Sequence, residues 1–202
     1  MKLFYSTASC SLASNIALHE AEITYELTRV DLETHKTEDG ANFFTIHDKG
    51  YVPYLILDNS EGLSEGVVIL QYIADQKPQT KLAAAEGTME RYRLQEWLTY
   101  INSELHKTMS VLFDRTKSDQ TKDQAIVKVG KLLDWISTKL DGNSYVMGDV
   151  FTIADCYLFT VLNWGQWIKI DITQWPVLHS YMCRVSARPK VQEALKKVGL
   201  IA

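Results

Sequence analysis

Apolar residues recur with two different periods along this chain, and the change of period divides it. Up to about residue 80, short apolar runs alternate with helical patterns. Leu3-Phe4-Tyr5 makes residues 2–5 a short buried strand, and residues 11–21 read as a helix with Leu12, Ala13, Ile16 and Ala17 inward. Residues 25–30 alternate, Tyr25 and Leu27 against Glu26 and Thr28, as a strand does. Residues 33–50 are polar and irregular apart from Phe43, Phe44 and Ile46. Residues 53–57 read as a strand, and Asp58-Asn59-Ser60-Glu61-Gly62 is turn chemistry leading to a short partner strand. Residues 65–76 form a helix with Ile69, Tyr72 and Ile73 on one face.

Pro78 ends that helix, and from Thr88 onward only the helical period remains. Leu94, Leu98, Ile101, Leu105, Met109 and Leu112 predict one long helix over 88–114. Ile126, Val129, Leu132, Leu133 and Ile136 predict another over 122–140, broken by Asp141-Gly142-Asn143. Residues 153–168 are apolar on most sides, as a central buried helix is, and helices near 175–187 and 190–197 start close to Pro176 and Pro189. The expected organisation is an α/β domain over 1–78, a linker over 79–87 and an all-helical domain over 88–202.

A chain of 202 residues suffices for one large domain or two small ones. Its formal charge of -4 argues against nucleic acid or an anionic membrane as main partner. No run approaches the roughly 18 apolar residues of a membrane span, and the N-terminus lacks a signal-peptide pattern. A cytoplasmic location is expected. Cys10, Cys156 and Cys183 have no metal-like or disulfide-like spacing. No metal site is expected, and Cys156 and Cys183 read as small core residues.

Cys10 falls at the start of the first helix, where unpaired N–H groups and the helix dipole favour a thiolate. Ala13 stands three positions on, so Cys10 exchanges only with an external thiol; the plain alternative is an inert buried cysteine. If the Val52-Pro53 bond is cis, Val52 turns its backbone groups outward to pair with an extended peptide; the plain alternative is a trans proline at a strand start. Ser64-Glu65-Gly66 opens a helix whose free N–H groups suit a carboxylate while Glu65 suits an ammonium group; alternatively Ser64 is an ordinary cap. Together these three features suit a thiol peptide. Thr99, Ser103, His106 and Ser110 make a polar stripe beside the apolar one. Such a stripe is more often a solvated face, but Phe113 continues it, and as a cleft wall it lets His106 bond a sulfur or act as a base near neutral pH. Thr152-Ile153-Ala154-Asp155 is a capping box, read as structural. Trp164 and Trp167 are candidates for an apolar pocket, with core packing the plainer role for at least one.

The order β-α-β-irregular-β-β-α resembles the thioredoxin-like fold. Over nearly its full length the chain resembles a bacterial glutathione S-transferase of the beta class. The resemblance rests on Met1 to Tyr5, Ala8 to Ser14, Lys49-Gly50-Tyr51-Val52-Pro53, Glu65-Gly66-Val67, Tyr72 to Asp75, Glu96-Trp97-Leu98, Glu104-Leu105-His106-Lys107 and Phe151 to Asp155. It implies a thioredoxin-like N-terminal domain, an all-α C-terminal domain and a homodimer. It further implies a reactive cysteine at Cys10 with a histidine, His106, beside it. Val52 would contact the cysteinyl part of glutathione, and Glu65 and Gly66 would hold the γ-glutamyl part. Thr99, Ser103 and Glu104 would approach the ligand, some from the neighbouring subunit. The chain departs from the family pattern in having His35 for a lysine that helps hold the glycine carboxylate, His47-Asp48 for Asn-Pro, and Thr99 for an asparagine. The implied activity is conjugation of glutathione, as co-substrate and without another cofactor, to small hydrophobic electrophiles near Phe113, Trp164 and Trp167. Two rivals remain at this point: a disulfide exchanger or peroxide reductase using Cys10, and a binding or regulatory module without activity. Tyr5 and Ser11 are further candidate donors to the glutathione sulfur.

Overall fold

The computed structural model describes residues 1–168 and 170–202. They form two compact units, Met1–Leu82 with Pro189–Ala202, and Ala83–Arg188.

In the first unit, strands β1 (Lys2–Tyr5), β2 (Glu26–Asp31), β3 (Lys36–Thr37), β4 (Tyr54–Ile56) and β5 (Gly62–Leu63) form one sheet in the order β3-β2-β1-β4-β5. The β1 and β2 strands are parallel and the other pairs antiparallel. Helices α1 (Ser11–Glu20) and α2 (Gly66–Gln76) complete the thioredoxin-like order. Two features of the segment read as irregular were not anticipated: β3, and a 3₁₀ turn at Phe43–Thr45 capped by the Asn42 side chain. That turn drops Phe43 into the core against Phe4, with ring centroids 5.3 Å apart. In β2 the expected facing is also corrected, because Thr28 is buried together with Val30.

The last helix, α8 (Pro189–Lys197), belongs to the first unit and not to the helical domain in which the sequence placed it. Its apolar face, Val191, Ala194 and Leu195, is buried. The Asn15 side chain of α1 donates to the Ala194 carbonyl at 2.9 Å, and Lys197 lies 3.8 Å from the Tyr25 ring centre. These contacts join positions far apart in sequence, which periodicity does not register.

The second unit is helical. Its elements are α3 (Met89–Tyr100), α4 (Lys107–Ser110), α5 (Asp119–Leu140), α6 (Ile153–Leu162) and α7 (Pro176–Ser186). The single helix expected over 88–114 is interrupted by a π-helical turn, Ile101–His106. A π turn bonds i→i+5 and rotates everything after it out of the α register. The central helix is shorter than expected: α6 ends at Leu162 and a 3₁₀ turn, Asn163–Trp167, follows. Gly165 lets this turn fold back, since a Cβ there would lie 2.7 Å from the Ile170 carbonyl oxygen. All ten residues of α6 are buried. Its start is held by Asp155, whose carboxylate accepts from the N–H groups of Val146 and Thr152, both at 2.8 Å, and from the hydroxyls of Thr152 and Tyr181. Burial pushes the Asp155 carboxyl up to about 6 against the pull of these four donors.

Candidate functional site

Cys10 is the cap residue at the start of α1. The turn that presents it is tied by two serines. The Ser9 and Ser11 hydroxyls lie 2.6 Å apart, Ser9 Oγ donates to the Ser6 carbonyl at 2.8 Å, and the Ser6 N–H donates to Ser11 Oγ at 3.2 Å. Three of the N–H groups expected to be unpaired have acceptors here: Ser11 donates to Ser9 Oγ, Leu12 to the Ser9 carbonyl and Ala13 to the Cys10 carbonyl. Ser11 is fully buried and its hydroxyl is engaged with Ser6 and Ser9, which removes it as a donor to a ligand sulfur. Tyr5 stays a phenol, its pKa raised by burial first and by Glu38 second. The Cys10 thiol donates to the Val52 carbonyl at 3.3 Å.

The Val52-Pro53 peptide is cis. Among the described residues the Val52 N–H has no acceptor. Beneath it lie Phe4, Val30 and Phe43. Glu65, not Ser64, is the cap residue of α2, and it makes no side-chain capping bond. Its backbone sits at φ 67°, ψ 108°, unusual for a residue with a side chain, and its exposed carboxylate pairs with Lys49 at 3.1 Å. Residues held in sparsely populated backbone regions cluster at functional sites. The N–H groups of Val68 and Ile69 reach the Glu65 carbonyl, whereas those of Gly66 and Val67 have no partner among the described residues. A Cβ on Gly66 would be 3.6 Å from Pro53, so the α2 start adjoins the cis-proline turn. Cys10, Val52, Glu65 and Gly66 thus form one connected patch.

His35 lies off that chain of contacts. It sits at φ 50° with its ring against Phe44, centroids 4.4 Å apart, and its Nδ1 buried without a partner. His47 is buried and stacked on Tyr54 at 4.3 Å, and burial lowers its pKa.

In the second unit the π turn breaks up the expected stripe. Thr99 and Ser103 are exposed, Glu104 is paired with Lys128 at 3.0 Å, and His106 turns inward. Trp164 and Tyr157 stand nearly perpendicular to the His106 ring at centroid distances of 4.8 and 5.9 Å. Phe113, 46 % exposed, packs edge-on against the buried Trp164 at 5.7 Å. Trp167 turns to solvent at 44 % exposure. Burial, with a smaller effect from Lys107, lowers the His106 pKa to about 4. This corrects the expectation of a base titrating near neutral pH: His106 is a neutral imidazole there.

The chain matches the glutathione S-transferase N-terminal domain over residues 1–75 and the glutathione S-transferase C-terminal domain over residues 67–189. It belongs to the glutathione S-transferase family. Glutathione S-transferase GstA of Escherichia coli O157:H7 is 40 % identical over 200 residues, covering 99 % of this chain and all of that one. Two solved structures superpose at a TM-score of 0.96 with both chains fully covered. They are the beta class glutathione S-transferase of Sphingomonas chungbukensis, 43 % identical, and a sphingomonad glutathione S-transferase complexed with glutathione, 42 % identical.

Within this transferase-family chain, sequence reasoning missed two residues at His106. Tyr157 Oη lies 2.6 Å from His106 Nδ1 and donates to Asn102 Oδ1 at 2.9 Å. Tyr157 stands 51 positions from His106, inside a helix that is apolar on every side, so no local pattern marks it. The cysteines also divide differently from expectation. Cys156 is fully buried, but Cys183 is exposed, 3.8 Å from His179 Nε2. Among the described residues no three metal-binding side chains gather, and no helix is long and apolar enough to cross a membrane.

Proposed function

We propose that the protein transfers glutathione to small apolar electrophiles, and that the patch Cys10, Val52, Glu65 and Gly66 holds the tripeptide. One observation carries this reading: the open N–H of Val52 adjoins, through Pro53, the two open N–H groups that begin α2. An extended peptide pairs with Val52 as an added strand does. A carboxylate at its γ-glutamyl end meets the Gly66 and Val67 N–H groups and the positive end of the helix dipole. The ammonium group at that end pairs with Glu65, displacing or sharing Lys49. His35 is assigned to the glycine carboxylate. In the helical unit, His106, Phe113 and Trp164, with the exposed Trp167, are assigned to the electrophile. A homodimer, in which Thr99, Ser103 and Glu104 approach glutathione, some of them from the second copy, and a cytoplasmic location complete the proposal. The acceleration comes mainly from holding the two reactants together and stabilising the reacting thiolate.

Calorimetry with reduced glutathione, alongside turnover of a chlorodinitrobenzene, tests it. Micromolar to millimolar binding with conjugation supports the reading, and no heat from either redox form of the tripeptide from pH 6.5 to 8.5 overturns it. The Cys10 thiol beside Val52 favours a second activity on the same patch. Its thiolate attacks oxidised glutathione, forming a Cys10–glutathione disulfide and releasing one glutathione thiolate. Cys10→Ala separates the two: conjugation survives and mixed-disulfide formation disappears if Cys10 serves only exchange.

A further inference from the structure

We propose that Tyr157 and Asn102 are positioning residues that hold His106 as its Nδ1–H tautomer, so that the imidazole meets substrate through the Nε2 lone pair. The functional consequence rests on the assignment of His106 to the transfer reaction; the tautomer does not.

The three groups share two protons, and each has a definite place. Tyr157 Oη carries one, and Asn102 presents its Oδ1, which only accepts, at 2.9 Å. The phenol proton is therefore committed to Asn102. What remains on Tyr157 Oη is acceptor capacity, so the atom facing it at 2.6 Å, His106 Nδ1, must be the donor. A neutral imidazole has one N–H. With that proton on Nδ1, Nε2 is left as an acceptor.

The surroundings keep this arrangement in place. Asn102 and His106 share the π turn Ile101–His106, and Tyr157 reaches them from α6. Trp164 meets the His106 ring nearly perpendicular, at 79°. Lys107 is the charged neighbour that acts on the ring, and it opposes a second proton.

The chemical consequence separates two roles for His106. A ring bearing Nε2–H would donate to a thiolate and stabilise it. A ring with the Nε2 lone pair accepts instead from a proton-bearing group. The partner this site selects is thus a thiol or hydroxyl on the substrate, not an anion.

Long-range ¹H–¹⁵N NMR on protein labelled in the histidine rings reads the tautomer, with His106→Gln assigning the signal. At pH 7 the expected pattern is a protonated Nδ1 and an unprotonated Nε2; the reverse pattern overturns the proposal. Asn102→Leu frees the phenol proton to turn toward His106 and is expected to shift the ring to Nε2–H. Asn102→Asp, which still accepts, retains Nδ1–H. A tautomer unchanged in Asn102→Leu also overturns it. Tyr157→Phe is expected to lower kcat about tenfold, less than the roughly 10²–10⁴-fold that a proton-transfer group itself contributes, with glutathione affinity by calorimetry unchanged. Equal loss of kcat and of affinity marks Tyr157 as merely structural and counts against the proposal. If wild-type protein binds no glutathione, the transfer reading fails while the NMR result still decides the tautomer.

Discussion

The patch around Cys10 and the cluster around His106 are built in opposite ways. The Cys10 patch is made of backbone. Beside a serine-tied turn that carries Cys10, a cis-proline peptide and an uncapped helix start leave N–H groups open, and the side chains below them supply the support. The His106 cluster is made of side chains. Three aromatic rings, an amide and an imidazole meet in a largely buried setting, and the backbone contributes a widened turn that aims two of them. A backbone site tolerates substitution of the side chains it presents as long as the chain path is kept. A side-chain cluster keeps its path after substitution but loses its chemistry.

The largest effect should come from removing what supports the backbone patch. Phe43 is fully buried against Phe4 beneath Val52. Phe43→Ala is expected to cost about 3–5 kcal/mol in urea unfolding and to weaken glutathione binding although Phe43 touches no open N–H group. Unchanged affinity in the folded variant would break the claim that packing holds the patch.

Next is the pH response of the side-chain cluster. The folded His106 pKa is about 4 and its ordinary value 6.5. Between these values the unfolded chain binds a proton that the folded chain refuses, so stability falls as pH drops. The expected loss by pH 4 is about 3 kcal/mol. Asp155 acts oppositely in the same window: its folded pKa is raised to about 6, so its contribution falls as pH rises from 4 to 6. The measurement is therefore the difference between wild type and His106→Gln in denaturant midpoints from pH 4 to 7. A constant difference would remove the case for a buried neutral imidazole.

Gly165→Ala places a Cβ 2.7 Å from the Ile170 carbonyl oxygen, where backbone must shift. A cost of about 1–3 kcal/mol is expected, with a changed tryptophan emission as Trp164 moves against His106. Stability and emission both matching wild type would show that the 3₁₀ turn does not set the cluster.

The sharpest test of the backbone patch has the smallest effect on the fold. A Cβ at Gly66 meets Pro53 only at ordinary contact distances of 3.6 and 3.8 Å. Gly66→Ala should therefore leave stability within about 1 kcal/mol of wild type, if anything raised by helix propensity. It should reduce glutathione affinity about tenfold, about 1.4 kcal/mol, because the methyl occupies the approach to the open N–H groups. Full affinity would show that the ligand does not come close to this helix start.

Read by itself, the sequence determined most of the first unit and the Cys10 patch. Strands, helix starts and turn chemistry are set by residues within a few positions of one another, as Gly50 to Pro53 and Glu65-Gly66 show. Patterns of that range survive in a string of letters. Even there a local reading overreached. It expects free N–H groups beside Cys10, which Ser9 and the Cys10 carbonyl take up, and a Ser64 cap, which Glu65 replaces.

Tertiary structure alone decided the rest. Periodicity cannot show a π turn, because Ile101 to His106 carry the same apolar spacing in either helix and the choice depends on what packs against them. It cannot assign α8 to the first unit, since Asn15 and Ala194 meet only when the chain is folded. Nor can it give His106 its character. An imidazole's charge depends on burial and its tautomer on whichever atom faces each nitrogen, and here that atom comes from Tyr157, on another helix.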